Sequence, residues 1–266
     1  ASASVLEFFI TVFRMTLIKV VSLLGIFLFA GYVMCLRQEK TQRRYRLAIG
    51  WAGILATAWI GTPIHELSHA FFAVLFRHRI TRLSLFAPNE KTGGLGSVDH
   101  SFNPRSLYQR IGNFFIGAAP MIGGITVLTI LLIFLVPTGR EILETLRLDS
   151  VDMMKFLRQV SGLASTELFS SWRFWLFLFL SFCIASHIAP SRQDAKSMWS
   201  GFFWIVLILL LMNCAATLIG RDIGRSIVLI QEWLGVFAAM SFYAIILSLC
   251  HYLLATLILR PFQKSL

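Results

Sequence analysis

The chain alternates long apolar stretches with shorter polar connections, a pattern typical of a protein that crosses a membrane several times. About 20 mainly apolar residues are enough to span a bilayer as a helix, and six stretches reach roughly that length. The predicted fold class is therefore an all-α membrane protein, with a short β-hairpin after the second helix. The predicted spans are Leu17–Leu36, Leu47–Phe76, Leu107–Val136, Trp172–Ala189, Met198–Ile219 and Trp233–Leu259.

The polar connection after the second span has a different periodicity. Apolar and polar residues alternate over Ile80–Phe86 and again over Leu95–Phe102, and Pro88–Gly94 between them is rich in turn-forming residues. Alternation on both sides of a turn predicts a β-hairpin. Its edge is suited to binding an extended peptide as an added strand, and a plain surface hairpin is an equally good interpretation.

Two further segments have the mixed composition of amphipathic helices at a membrane surface. Val5–Thr16 precedes the first span, and residues 138–171 combine charged side chains with regularly spaced apolar ones. The start of the chain does not have the pattern of a cleavable signal peptide. No linker or internal repeat divides the sequence, so residues 1–266 are predicted to form a single domain. Its core would comprise about residues 47–220.

Composition supports a membrane setting. Charged residues make up only 14% of the chain, whereas they contribute about a quarter of a soluble domain. The net charge of +11 is interpreted as basic residues beside lipid headgroups, with no nucleic-acid partner. Arg37–Arg46 is predicted to be a cytoplasmic loop, although the connection after the second span is nearly as basic and the orientation stays open. We expect a multi-pass protein of the bacterial cytoplasmic membrane, in contact with the lipid bilayer.

The second span contains an H-E-x-x-H motif, His65-Glu66-Leu67-Ser68-His69. Residues four apart on a helix project from one face, so the two imidazoles can bind a single metal ion. Glu66 lies about 100° around the helix, where it can take a proton from an activated water without being a ligand. Zn²⁺ is the predicted cofactor because it lowers the pKa of water at such sites. Ionisable residues at membrane depth are costly and usually functional, which favours this interpretation over two packed histidines.

A catalytic zinc ion normally has three protein ligands, and the motif provides two. Asp194 is the predicted third ligand, because it follows a proline break between apolar helices, where a carboxylate can point inward. Its alternative role is to cap the fifth helix. His187 is predicted to support the ligands or to substitute for one of them. The other candidates are His100, Asp222 and His251.

Several motifs together resemble the site-2 protease family of intramembrane zinc metalloproteases. They are the H-E-x-x-H of the second span, the glycine-bearing hairpin, Gly117-Ala118-Ala119-Pro120, and an aspartate after a proline break. They cover about Gly61 to Gly201, most of the predicted core.

The resemblance implies that zinc is held by His65, His69 and Asp194, with Glu66 as the catalytic base. It also implies that the hairpin lies near the substrate path. The expected function is cleavage of a membrane protein, within or beside its transmembrane segment.

The distal motif departs from the family pattern. The family typically has Asn-Pro-x-x-Asp-Gly, whereas this chain has Ala189-Pro190-Ser191-Arg192-Gln193-Asp194-Ala195. The asparagine that usually follows the Gly-Pro element is also missing. The sequence therefore resembles a divergent member, and the alternative function is a catalytically inactive membrane scaffold that binds a partner without cutting it.

Overall fold

The computed structural model of the protein describes residues 5–145, 170–219 and 228–259. Within these ranges the chain is mainly helical and has one two-stranded antiparallel sheet. The helices are α1 (Val5–Val20), α2 (Ile26–Ala48), α3 (Trp51–Leu75), α4 (Leu107–Leu135), α5 (Gly139–Thr145), α6 (Trp172–Ala185), α7 (Arg192–Ile219) and α8 (Val228–Leu259), and the strands are β1 (Arg79–Ser84) and β2 (Ser97–Ser101).

Three of the described helices are long and apolar enough to cross a membrane: α4, α7, and α8 from Gly235 to Leu257. They coincide with the third, fifth and sixth predicted spans, although α7 begins earlier than predicted. Helix α3 has 25 residues, but the polar residues of its metal motif lower its mean hydropathy. Helix α6 has only 14 residues and ends at Ala185. At about 1.5 Å per residue it is shorter than the roughly 30 Å hydrocarbon core of a bilayer.

The N-terminal part of the chain forms one continuous helical rod. Helix α1 passes into α2 through a π-helical turn at Val21–Gly25, and α2 continues to Ala48. The prediction of a loop at Arg37–Arg46 is therefore wrong. Arginine, lysine, glutamine and glutamate are good helix formers, and neither glycine nor proline occurs between Gly31 and Gly50. The rod ends at Gly50, whose φ of 72° is a conformation that favours glycine.

The predicted β-hairpin is confirmed. Strand β1 pairs antiparallel with β2, with Ile80 opposite His100 and Ser84 opposite Ser97. A bridge between Asn89 and Gly94 narrows the connection between the strands. Both strands pack against α3. The hairpin therefore lies beside the helix that carries the H-E-x-x-H motif.

Helix α4 lies at the centre of the helical bundle, where it contacts α3, α6, α7 and α8. Ala118, Met121 and Leu128 on this helix are fully buried. Small residues let helices approach closely, as predicted for this segment. Because α4 contacts both α3 and α7, it determines how the motif histidines lie relative to Asp194.

The predicted amphipathic segment 138–171 lies mostly outside the described residues. Only its beginning, which forms α5, and its last two residues are described.

Candidate metal centre

The two histidines of α3 direct their Nε2 atoms toward each other, at a separation of 3.1 Å. His65 Nδ1 donates to the carbonyl of His187 at 2.8 Å, and His69 Nδ1 donates to the carbonyl of Ile116 at 2.7 Å. Because a carbonyl oxygen only accepts hydrogen bonds, each Nδ1 carries the ring proton. In a neutral imidazole the Nε2 is then a bare acceptor. Two lone pairs therefore converge on one point.

Asp194 completes the cluster from the first turn of α7. Its Oδ1 lies 3.3 Å from His69 Nε2, and its Oδ2 lies 3.6 Å from His65 Nε2. The ligand atoms of the three residues all lie within 4.8 Å of one another. With both histidines neutral, the cluster brings acceptors together without a donor between them. Such an arrangement is stabilised by a cation.

Asp194 also caps the helix on which it lies. The backbone N–H of Ser191 donates to Asp194 Oδ2 at 2.7 Å, and the backbone N–H of Asp194 donates to Ser191 Oγ at 3.1 Å. This is the reciprocal arrangement of a capping box. The two roles that the sequence offered as alternatives are therefore compatible. The Ser191-x-x-Asp194 spacing also explains why α7 begins at Arg192, upstream of the predicted start at Met198.

Two adjacent residues of α4 join the halves of the cluster. The carbonyl of Ile116 accepts the hydrogen bond from His69 on α3. Gly117 faces the backbone of Asp194 on α7, and a Cβ atom here would overlap the Asp194 carbonyl oxygen. The small residues of this span were predicted only to permit close packing. At Gly117 that close packing is what brings the carboxylate to the histidines.

Glu66 lies beside the cluster without being one of its converging residues. Its side chain is buried, and a Cβ atom at Gly96 would lie 2.7 Å from Glu66 Cγ, so the hairpin approaches it closely. Glu66 and His65 line two cavities, one of about 270 Å³ and one of about 620 Å³ that also contains His69 and Asp194. Glu66 therefore lines the same cavity as the three candidate ligands.

This donor set fits a metal ion. Two imidazole nitrogens and one carboxylate oxygen form the ligand set of many catalytic zinc sites. Nitrogen and oxygen ligands of this kind also suit other divalent first-row metals. Metal-binding histidines usually donate their second ring N–H to a carbonyl or carboxylate, as both do here. His65, His69 and Asp194 could thus hold a metal ion.

His187 contacts this site through its backbone. Its carbonyl accepts the His65 N–H, and its buried ring bonds through Nε2 to Thr57 Oγ1 at 2.9 Å. The ring is therefore not part of the cluster. The carbonyls of His187 and Ile116 were missed by sequence reasoning, because a backbone carbonyl has no sequence signature.

The remaining described candidates, His100 and His251, are not among the converging ligand residues. His251 bonds to Tyr45 and Ser186, and His100 is paired with His78. Asp222 lies outside the described residues.

Comparison with protein-family models gives no match, and comparisons with curated proteins and with solved structures give none either. The resemblance to site-2 proteases therefore stays a prediction. The function proposed for the chain rests on the geometry of its candidate metal centre.

Proposed function

We propose that this protein is a zinc-dependent intramembrane endopeptidase, related to the site-2 proteases as a divergent member. The observation that carries the proposal is the convergence of His65, His69 and Asp194 beside the buried carboxylate of Glu66. A bare acceptor cluster and an adjacent carboxylate are the two parts that metal-assisted hydrolysis of a peptide bond needs.

Zinc held by these three side chains would supply a Lewis acid and lower the pKa of water. Glu66 accepts a proton from a water in the larger cavity and later donates it to the leaving amine. The His187 and Ile116 carbonyls keep the Nδ1 atoms protonated, so both Nε2 lone pairs stay directed at the centre of the cluster. The chain itself thus provides the ligands, their orientation and the base.

We further propose that the protein crosses the bacterial cytoplasmic membrane six times. The apolar character of α4, α7 and α8 supports a membrane setting. The α1–α2 rod, α3, and α6 together with the residues that follow it to Ala189 would supply the other crossings. The substrate would then be a membrane protein cleaved within or beside its transmembrane segment.

Zinc-loaded protein in detergent tests this function, with a library of single-span peptides of varied sequence as the probe. We expect the wild type to cleave members of the library. Glu66→Gln should abolish cleavage and keep its zinc, because Glu66 is not one of the converging ligands. The matched control is Glu141→Gln, an exposed carboxylate on α5 that lines neither cavity, which should cleave normally. Equal cleavage by Glu66→Gln and the wild type would remove Glu66 from the mechanism.

A catalytically inactive scaffold is the second candidate, favoured by Ala195, which replaces the glycine of the family's distal motif. Metal analysis of the purified protein separates the two functions. Near-stoichiometric zinc supports the enzyme. A protein that retains no zinc after gentle purification, and cleaves no member of the library, supports the scaffold.

A further inference from the structure

A second pair of histidines lies where the hairpin meets α4. The Nδ1 atoms of His78 and His100 are 3.0 Å apart, and His78 Nε2 donates to the carbonyl of Gln109 at 2.9 Å. The buried His78 ring also stacks on Phe102, with ring centroids 5.1 Å apart. These contacts hold the His78 ring in one orientation.

The hydrogen bonds determine which nitrogen carries the proton in each ring. The Gln109 carbonyl only accepts, so the proton of His78 is on Nε2 and its Nδ1 is an acceptor. His100 must then donate from its own Nδ1, which leaves His100 Nε2 as a bare acceptor. Burial lowers the pKa of both histidines, and that of His100 is lowered further by His78. Both rings are therefore neutral at pH 7.

His100 lines the 620 Å³ cavity that contains the three candidate ligands and Glu66. Across residues 5–145, 170–219 and 228–259, no side chain or backbone group bonds to His100 Nε2, and the atom keeps accessible surface. The cavity volume lies within the range of ligand-binding pockets, about 300–1,000 Å³. His100 thus lines the cavity of the candidate metal centre as a neutral residue, and its Nε2 has no bonded partner among the described residues.

We propose that His100 is a substrate-binding residue, whose Nε2 accepts a hydrogen bond from a main-chain N–H of a polypeptide in the larger cavity. This inference rests on the proposed function and names one contact by which the site would hold its substrate. An extended peptide offers one N–H per residue, except at proline, and a buried N–H without an acceptor is costly. His78 is the positioning residue, because it fixes the tautomer that leaves Nε2 free.

Two substitutions at His100 separate its two nitrogens. The side-chain amide of Asn reaches the Nδ1 position, so His100→Asn keeps a partner for His78 and deletes the Nε2 acceptor. The longer Gln places its amide near Nε2, so His100→Gln retains a group that can accept there. Binding is measured in zinc-loaded Glu66→Gln protein, with a fluorescent single-span peptide that the wild type cleaves. We expect His100→Asn to raise Kd about 3- to 10-fold, the effect of one lost hydrogen bond, and His100→Gln to restore most of the affinity.

N-methylation of the peptide, one residue at a time, tests whether the partner is a main-chain N–H. At one position the methyl group should weaken binding to the Glu66→Gln protein, and this loss should disappear in the Glu66→Gln, His100→Asn protein. Zinc content and thermal unfolding should be equal for both proteins, which separates loss of the contact from loss of the fold. Equal Kd values for the two proteins, or an N-methyl profile that His100→Asn leaves unchanged, would overturn the role of His100.

The tautomers have a readout that does not depend on activity. In protein with ¹⁵N-labelled histidine rings, NMR should show the ring proton on Nε2 of His78 and on Nδ1 of His100. His78→Phe keeps the stack on Phe102 and removes the Nδ1 acceptor that fixes the His100 tautomer. His100 should then populate both tautomers. A proton on His100 Nε2 in the wild type would contradict the inference.

Failure of this inference and failure of the proposed function are distinguishable. If Glu66→Gln cleaves as fast as the wild type, the proposed function fails and the inference fails with it. If cleavage depends on Glu66 and His100→Asn binds the peptide normally, only the inference fails.

Discussion

Two hydrogen-bonded groups in the helical part of the protein contain histidines, and these histidines use their ring nitrogens differently. His65 and His69 each have one nitrogen bonded to a backbone carbonyl, and their second nitrogens face each other and Asp194. His251 on α8 has partners for both nitrogens, Tyr45 and Ser186. The first group is open to a ligand and the second is closed.

The closed group forms a hydrogen-bond chain with one direction. Ser186 Oγ donates its only proton to the carbonyl of Phe182 at 2.6 Å, so it must accept from His251 Nδ1 at 2.6 Å. His251 Nε2 is then an acceptor, and the Tyr45 hydroxyl donates to it at 2.7 Å. Every polar atom in this chain has a partner, as buried polar groups require.

A histidine in an apolar helix is therefore a metal ligand candidate only if a nitrogen is left over and converges with other ligand atoms. His251 is as deeply buried as His69, with exposures of 5% and 7%. What distinguishes them is the partner of the second nitrogen. Substitutions at Asp194, His251 and His187 test this difference, and a pH measurement extends it to the His78–His100 pair.

Asp194→Ala should have the largest effect, because it removes one of the three candidate ligands of the open group. Zinc affinity should fall by more than about 100-fold, beyond the loss usual for residues that only support ligands, and proteolysis should be abolished. Chelation of zinc from the wild type should reproduce the loss of activity. Metal analysis and the peptide cleavage assay measure both effects.

The control for Asp194→Ala is Ser191→Ala, which removes the serine side chain of the capping box and leaves the carboxylate in place. It should cost about 1 kcal/mol of unfolding free energy and leave the zinc content unchanged. Full zinc and activity in Asp194→Ala, together with an empty site in His187→Ala, would show that Asp194 is only a cap.

His251→Phe should destabilise the fold without affecting the metal. It leaves the half-buried Tyr45 hydroxyl and the buried Ser186 hydroxyl without their shared partner, which costs about 1–3 kcal/mol. Denaturant unfolding in detergent measures the loss, and zinc analysis should show normal content. A His251→Phe protein that folds normally but has lost its zinc would show that His251 also supports the metal centre. The two groups would then not be independent.

His187→Ala should weaken the metal centre more mildly than Asp194→Ala. The His187 carbonyl still accepts from His65, but the ring no longer anchors the turn to Thr57. Zinc affinity should fall by about 10-fold, the lower end of the range for supporting residues. Thr57→Val deletes the same contact from the other side and should produce a similar loss. A large loss of zinc affinity in one variant and none in the other would show that the His187 ring does not act through its bond to Thr57.

The smallest effect concerns pH and the His78–His100 pair. The pKa of both histidines is lower in the folded protein, mainly through burial, and Asp99 partly opposes the shift of His100. As the pH falls below about 6.5, these histidines bind more protons in the unfolded chain than in the folded protein. The contribution of the neutral pair to the free energy of unfolding is therefore complete above that pH, and it is lost as the pH falls to the pKa values of the folded protein. Unfolding free energies at pH 7.5 and 5.5 should differ more in the wild type than in His78→Phe. An equal difference in the two proteins would contradict this assignment.

The sequence alone determined the local parts of this structure. Helical periodicity places His65 and His69 on one face, alternation around a turn predicts the hairpin, and apolar length predicts α4, α7 and α8. Each of these features depends on residues close together in the chain. The same reasoning failed at Arg37–Arg46, because charge density indicates where a segment lies relative to a membrane and not whether its backbone is helical.

The tertiary structure decided how these parts meet. Asp194 reaches the histidines because Gly117 lets α7 approach α4, and the histidines are oriented by the carbonyls of His187 and Ile116. A carbonyl is present at every residue, so sequence cannot indicate which one will face an imidazole. Which nitrogen of a histidine stays free is therefore decided only when distant helices pack together, and that choice separates the open group from the closed one.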